Sequence, residues 1–158
     1  RGLSADHLEY ASEPTVRAMA EAGTVATLLA GAHLTLHETQ KPPVDLFRAF
    51  GVPMALATNS NPVSSPTVSP AAQMHLACYL FRLTPEEALK GFTVNSARAL
   101  GLQDSAGRIA VGRAADLAVW DTDDPRGLAY AIGGAPCLAV IKDGVVVHEA
   151  PPPKFARA

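Results

Sequence analysis

Apolar residues in the first sixty positions come in short unbroken runs separated by stretches of helical spacing. Thr24-Val25-Ala26-Thr27-Leu28-Leu29 and Val52-Pro53-Met54-Ala55-Leu56-Ala57-Thr58 are bounded by glycine or polar turns and predict strands apolar on both faces. Residues 3–8 predict a strand ending at His7. Ser12 is placed to cap a helix through Ala22, with Pro14 in its first turn and Gly23 past its end. Residues 43–50 read as a short helix stopped by Gly51. Strands of this kind alternating with helices predict an α/β fold, a parallel sheet covered by helices. Working residues then collect at the C-terminal strand ends. His7, Asn59 and a loop over 31–39 holding His33, His37 and Glu38 fall there.

The middle of the chain is helical. Ser69-Pro70 opens a helix to about Phe81, and Thr84-Pro85-Glu86-Glu87 is a capping box with proline at the first helical position. Residues 93–100 form a further helix closed by Gly101. The period then changes: residues 116–121 predict a strand, and 138–147 a hairpin turned at Asp143-Gly144. The tail, 151–158, reads as flexible. Three parallel strands do not close a barrel and leave unpaired edges. The expectation is the C-terminal part of something larger, or a chain completed by a partner.

Of the 158 residues, 48% are hydrophobic and 18% charged, which excludes disorder. A net charge of −2 offers no basic face, so neither nucleic acid nor an anionic membrane is an expected partner. No apolar run approaches the roughly 18 residues of a membrane span, and the first residues lack the apolar core of a signal peptide. Cys78 and Cys137 lie far apart without CxxC spacing and read as free thiols of a reducing cytoplasm.

His7, beside Asp6 and Glu9, can polarise a water or a substrate oxygen or bind a metal, or it can be structural. His33 and His37 are four apart, the spacing of a metal pair on a helix, but Gly31 favours a loop. Glu38-Thr39 reads as scaffolding of that loop, His75 and His148 as structural, and Arg98 as half of a local ion pair. Asn59-Ser60-Asn61-Pro62 suits an ordinary turn, or a set of amide and backbone donors for an anion.

Taken together and in order, the motifs resemble a known family. They are Ser4-Ala5-Asp6-His7-Leu8-Glu9-Tyr10, His37-Glu38-Thr39-Gln40, Ala57-Thr58-Asn59-Ser60-Asn61-Pro62, Phe81-Arg82-Leu83-Thr84-Pro85-Glu86-Glu87-Ala88-Leu89, Asn95-Ser96-Ala97-Arg98-Ala99-Leu100-Gly101-Leu102 and the 107–121 segment. The chain resembles the C-terminal portion of the imidazolonepropionases, within the amidohydrolase superfamily. The resemblance implies strands six to eight of a TIM-type (β/α)8 barrel over 1–105 and strands of a small β-sandwich over 106–150. It implies hydrolysis of the cyclic amide of 4-imidazolone-5-propanoate to N-formimino-L-glutamate in histidine degradation, and a homodimer. One divalent metal, zinc or iron, would lower the pKa of a bound water, with its remaining ligands outside this chain. Carried over by motif, His7 is the catalytic histidine that orients or polarises at the reacting centre. Asn59 stands at the metal-binding aspartate, and Asn61, the backbone at Val63, and Ser64 hold the substrate.

Two departures matter. Asn59 is neutral where the family has a carboxylate, so it is a weaker ligand and cannot take a proton; losing a general base costs about 10²–10⁴-fold. Val63 stands at a glycine position, where a side chain is expected to crowd close backbone approach. Two rival readings follow. Another amidohydrolase acting on a different cyclic amide is disfavoured by Asn61-Pro62. A non-catalytic remnant serving as an interaction domain is favoured by Asn59 and Val63.

Overall fold

The computed structural model describes residues 2–132 and 136–151, so the expected flexible tail lies, from residue 152 on, outside the described residues. Three short strands, β1 (Ser4–Asp6), β2 (Val25–Leu28) and β3 (Met54–Leu56), form a parallel sheet in the order β1-β2-β3. Ala5 pairs with Ala26, which also pairs with Met54. Helix α1 (Glu13–Ala22) connects β1 to β2, and α2 (Ala30–Thr35) and α3 (Val44–Ala49) lie between β2 and β3. The continuous apolar runs are explained by burial: every residue of β2 and β3 is buried. β1 departs from that expectation, because it is an edge strand whose polar Ser4 and Asp6 face partly to solvent. It also ends one residue early, since His7 and Leu8 both take a left-handed φ, 66° and 71°.

Gly23 closes α1 in the left-handed conformation, with its N–H donating to Ala20 and that of Thr24 to Met19. Ser12 occupies the N-cap, but its hydroxyl pairs with that of Thr15 rather than with a backbone N–H. The loop expected over 31–39 begins instead as helix α2, in which Gly31 serves packing rather than breaking the helix: a Cβ there would lie 2.2 Å from the Gln73 amide nitrogen. Helix α4 (Pro70–Phe81) is capped by the Ser69 hydroxyl, and α5 (Pro85–Phe92) by the expected capping box. Helix α6 (Val94–Ala99) follows. The core gathers Val16, Leu28, Phe47, Leu56, Met74 and Phe81.

β3 has its outer edge covered by side chains. Asn95 Nδ2 donates to the Met54 carbonyl at 2.8 Å and the Ser96 hydroxyl to that of Leu56 at 3.1 Å. The expected open edge is thus blunted on this side. Arg98, expected in an ion pair, reaches the Gly23 carbonyl instead.

β4 (Leu117–Trp120), β5 (Cys137–Lys142) and β6 (Val145–Glu149) form an antiparallel sheet in that order. The β5–β6 hairpin turns at Asp143 and Gly144, both at positive φ, as anticipated. A short helix that the sequence pattern did not indicate, α7 (Gly127–Tyr130), buries Leu128 and Ala129 in the main core. Among the described residues no helix is long and apolar enough to cross a membrane.

Arg48 ties α3 to α5 through a fork: Nε and Nη2 donate to the two oxygens of Glu87, each at 2.8 Å. The guanidinium holds the Glu87 carboxyl below its ordinary value of 4.5. A depressed folded-state pKa contributes stability that is complete above the unfolded value and lost as pH falls through the folded one. Glu87→Gln is therefore expected to lower unfolding stability by about 1 kcal/mol at neutral pH. The difference should shrink towards zero in urea titrations below the folded-state pKa.

Candidate functional site

The C-terminal ends of the three parallel strands carry the candidate residues. After β1, the chain turns through His7 and Leu8 so that Glu9 is buried while Tyr10 stands in solvent. Glu9 Oε1 lies 3.8 Å from His7 Nδ1, an ion-pair distance when the imidazole is protonated. Tyr10 donates its hydroxyl to Glu38, whose carboxylate also accepts the N–H groups of Thr39 and Gln40. Led by the Gln40 N–H, these bonds hold the Glu38 carboxyl below its ordinary value, and its charge pushes the Tyr10 hydroxyl up. Glu38 therefore shapes its own loop, as the sequence suggested.

The two histidines after β2 sit in different settings. His33 lies in α2, only 5% exposed, its ring edge-on to Phe81 with centroids 5.0 Å apart. Its Nδ1 is buried without a hydrogen-bond partner, and burial lowers its pKa. His37 follows the helix at φ 53°.

After β3, Asn59 takes φ 48° and is exposed. The 59–64 loop is knitted by Asn61. Its Oδ1 accepts the N–H groups of Val63 and Ser64 at 3.0 and 2.7 Å, and its Nδ2 donates to the Asn59 carbonyl at 2.7 Å. The sequence-predicted donors thus converge in one place, but the Asn61 oxygen already fills the cradle of N–H groups. Val63 is not among the residues with positive φ, and its side chain is solvent-exposed. The loop itself therefore accommodates the valine without a left-handed backbone.

Underneath, Ser65 is fully buried and donates to the Thr58 carbonyl at 2.6 Å. Gln73, 1% exposed, accepts the Gly31 N–H at 2.9 Å and reaches the same Thr58 carbonyl at 3.4 Å. Sequence reasoning missed both residues. The available signal was a glutamine within the otherwise apolar Ala71-Ala72-Gln73-Met74 stretch.

His7 has no hydrogen bond or ion pair to the 59–64 loop among the described residues. No three His, Cys, Asp or Glu side chains come together to hold a metal ion among the described residues. A cavity of about 950 Å³ lies elsewhere among the described residues, between α4 and α7, and is an open groove with mainly apolar walls including Leu76, Tyr79 and Ile132. Cys78 in its wall is half-buried, which pushes its thiol pKa up and away from nucleophilic use.

Comparison with known proteins adds the following. The profile described as "Amidohydrolase family" matches residues 5–148. An imidazolonepropionase of Shewanella baltica (strain OS223) is 53% identical over 146 residues, covering 92% of this chain and 36% of the relative. One of Shewanella putrefaciens (strain CN-32 / ATCC BAA-453) is 52% identical with the same coverage. The chain thus spans 36% of the length of these relatives. Among solved structures, atrazine chlorohydrolase TrzN from Arthrobacter aurescens TC1 complexed with zinc superposes with a TM-score of 0.83 at 23% identity, over 98% of this chain and 38% of that one. An adenosine deaminase from Xanthomonas campestris with bound zinc gives 0.79 at 23% identity, over 90% and 36%. At these identities the structural likeness concerns the fold.

The orphaned imidazole of His33 yields a test. An unsatisfied buried polar atom costs about 1–3 kcal/mol, and phenylalanine keeps the edge-on contact with Phe81. His33→Phe is expected to raise unfolding stability by that order at pH 7. A lowered histidine pKa makes the wild-type chain lose stability as pH falls below the unfolded value of 6.5. That part of the slope should vanish in the variant, as read from denaturant midpoints between pH 5 and pH 8.

Proposed function

The chain belongs to the amidohydrolase family, and from that premise we propose that it forms the C-terminal part of a hydrolase opening the ring of 4-imidazolone-5-propanoate. The product is N-formimino-L-glutamate, released by hydrolysis of the cyclic amide C–N bond in histidine degradation. The observation that carries this reading is the 53% identity to an imidazolonepropionase across 92% of the chain. In the same proposal β1, β2 and β3 are strands six, seven and eight of a (β/α)8 barrel spanning 1–105. The β4–β6 sheet belongs to a small β-sandwich over 106–150. A homodimer in the cytoplasm completes the reading.

The roles follow from the residues. The substrate's propanoate carboxylate takes the place of the Asn61 oxygen on the Val63 and Ser64 N–H groups. Asn61 Nδ2 and the Ser64 hydroxyl supply further donors, since a carboxylate binds such groups more strongly than a neutral amide oxygen does. His7, held by Glu9, polarises or orients at the ring amide. The implied divalent metal, zinc or iron, does not fit the donors of the described residues alone: Asn59 offers a neutral oxygen, and no three His, Cys, Asp or Glu side chains come together among the described residues. The other ligands would come from polypeptide outside these residues.

A second reading, a non-catalytic interaction domain, is favoured by the neutral Asn59. A chimera separates the two. This chain replaces the matching segment of the Shewanella baltica relative, with and without Asn59→Asp. Restoring the carboxylate is expected to bring metal content to about one ion per chain and to raise turnover about a hundredfold. Ring-opening activity absent from both forms would overturn the hydrolase reading and support the second. Unchanged metal content and rate in an active chimera would remove Asn59 from the ligand position.

A further inference from the structure

Two buried polar side chains of this fold, Gln73 and Ser65, meet at one backbone atom, the Thr58 carbonyl, which immediately precedes Asn59. Gln73 sits on α4 and spans two strand ends. Its Oε1 accepts from Gly31 at the start of α2, just past β2, and its Nε2 points to the carbonyl just past β3. The position opposite must be glycine, because a Cβ at residue 31 would lie 2.2 Å from Nε2 and 2.9 Å from the Ser65 hydroxyl. Ser65 also accepts the Asn61 N–H through its own carbonyl at 3.1 Å, so the clamp continues into the loop. A buried amide with both ends engaged is costly to misplace, and such networks fix one geometry. Its buried neighbours on the helix, Ala71, Met74 and Ala77, are apolar, so a polar residue here adds nothing to core packing that methionine would not.

We propose that Gln73 is a positioning residue: it sets the height and direction of the 59–64 loop relative to β2, and through it the affinity of the loop for a carboxylate. The carboxylate half of this statement rests on the reading given under Proposed function, whereas the clamp itself does not. Gln73 touches no substrate and acts through the Thr58 carbonyl.

The test uses the whole 158-residue chain. Amide hydrogen exchange is followed by NMR in the wild type, in Gln73→Met, which keeps the volume and removes both bonds, and in Ser65→Ala. Exchange at Asn61, Val63 and Ser64 should accelerate at least tenfold in Gln73→Met, while Ala26 and Ala55 in the sheet change less than twofold. Gln73→Glu adds a signature that a purely structural role lacks. Its protonated carboxyl can accept from Gly31 and donate to Thr58, so loop protection should return at low pH and disappear as the buried acid ionises. Uniform acceleration of all amides, or an unaltered loop, would overturn the clamp. Should Gln73→Met fail to fold, the same local pattern in Ser65→Ala supports it and its absence overturns it. Imidazole-propanoate serves as the ligand probe. Shifts of the Val63 and Ser64 amides in the wild type, weakened at least tenfold in Gln73→Met, support the affinity role, and equal affinity overturns it. No shift in the wild type would count against the substrate reading while the exchange result still decides the clamp.

Discussion

The arrangement depends on removing β2 and β3 from water. Every residue of both strands is buried, so their backbone groups must be paired and their neighbours must be helices. Helices α1 and α3 deliver Val16 and Phe47 into the same core, and α4 adds Met74 and Phe81. Asn95 and Ser96 finish the outer edge of β3 with side-chain donors. Because the strands are short and their registers fixed, the residues that leave them do so at one end of the sheet. That constraint puts the turn at His7, the start of α2 and the 59–64 loop on a common edge.

The edge is polar, and it sits directly on an apolar core. The structure reconciles the two with a few buried polar groups. Gln73 and Ser65 are satisfied through Gly31 and Thr58, whereas His33 Nδ1 is not. The first two give the loop a fixed foundation. The third is a local cost within a helix that the rest of the core tolerates.

Much of this was legible in the sequence. Unbroken apolar runs bounded by glycine or polar turns marked β2 and β3, Thr84-Pro85-Glu86-Glu87 marked a capping box, and Asp143-Gly144 marked the hairpin, because each is a local rule. What was not legible depended on distant partners. Gly31 read as a helix breaker, yet Gln73, 42 residues away, explains it as a place of close approach. Helix α7 has only four residues and exists through packing on α4, which no local period encodes. At the site, the Asn59–Asn61–Ser64 grouping was visible as a turn-rich motif. Occupation of its N–H groups by the Asn61 oxygen depends on how the loop closes in three dimensions.

The central claim is that the 59–64 loop recognises a carboxylate on the substrate of a ring-opening hydrolase. The most direct measurement is the ratio of kcat/KM for 4-imidazolone-5-propanoate over its primary-amide analogue, in the active chimera carrying Asn59→Asp. Donors that exchange a charged acceptor for a neutral one lose about half of each hydrogen bond's strength, so a ratio of at least about tenfold is expected. A ratio near unity, with both compounds turned over, would contradict the account.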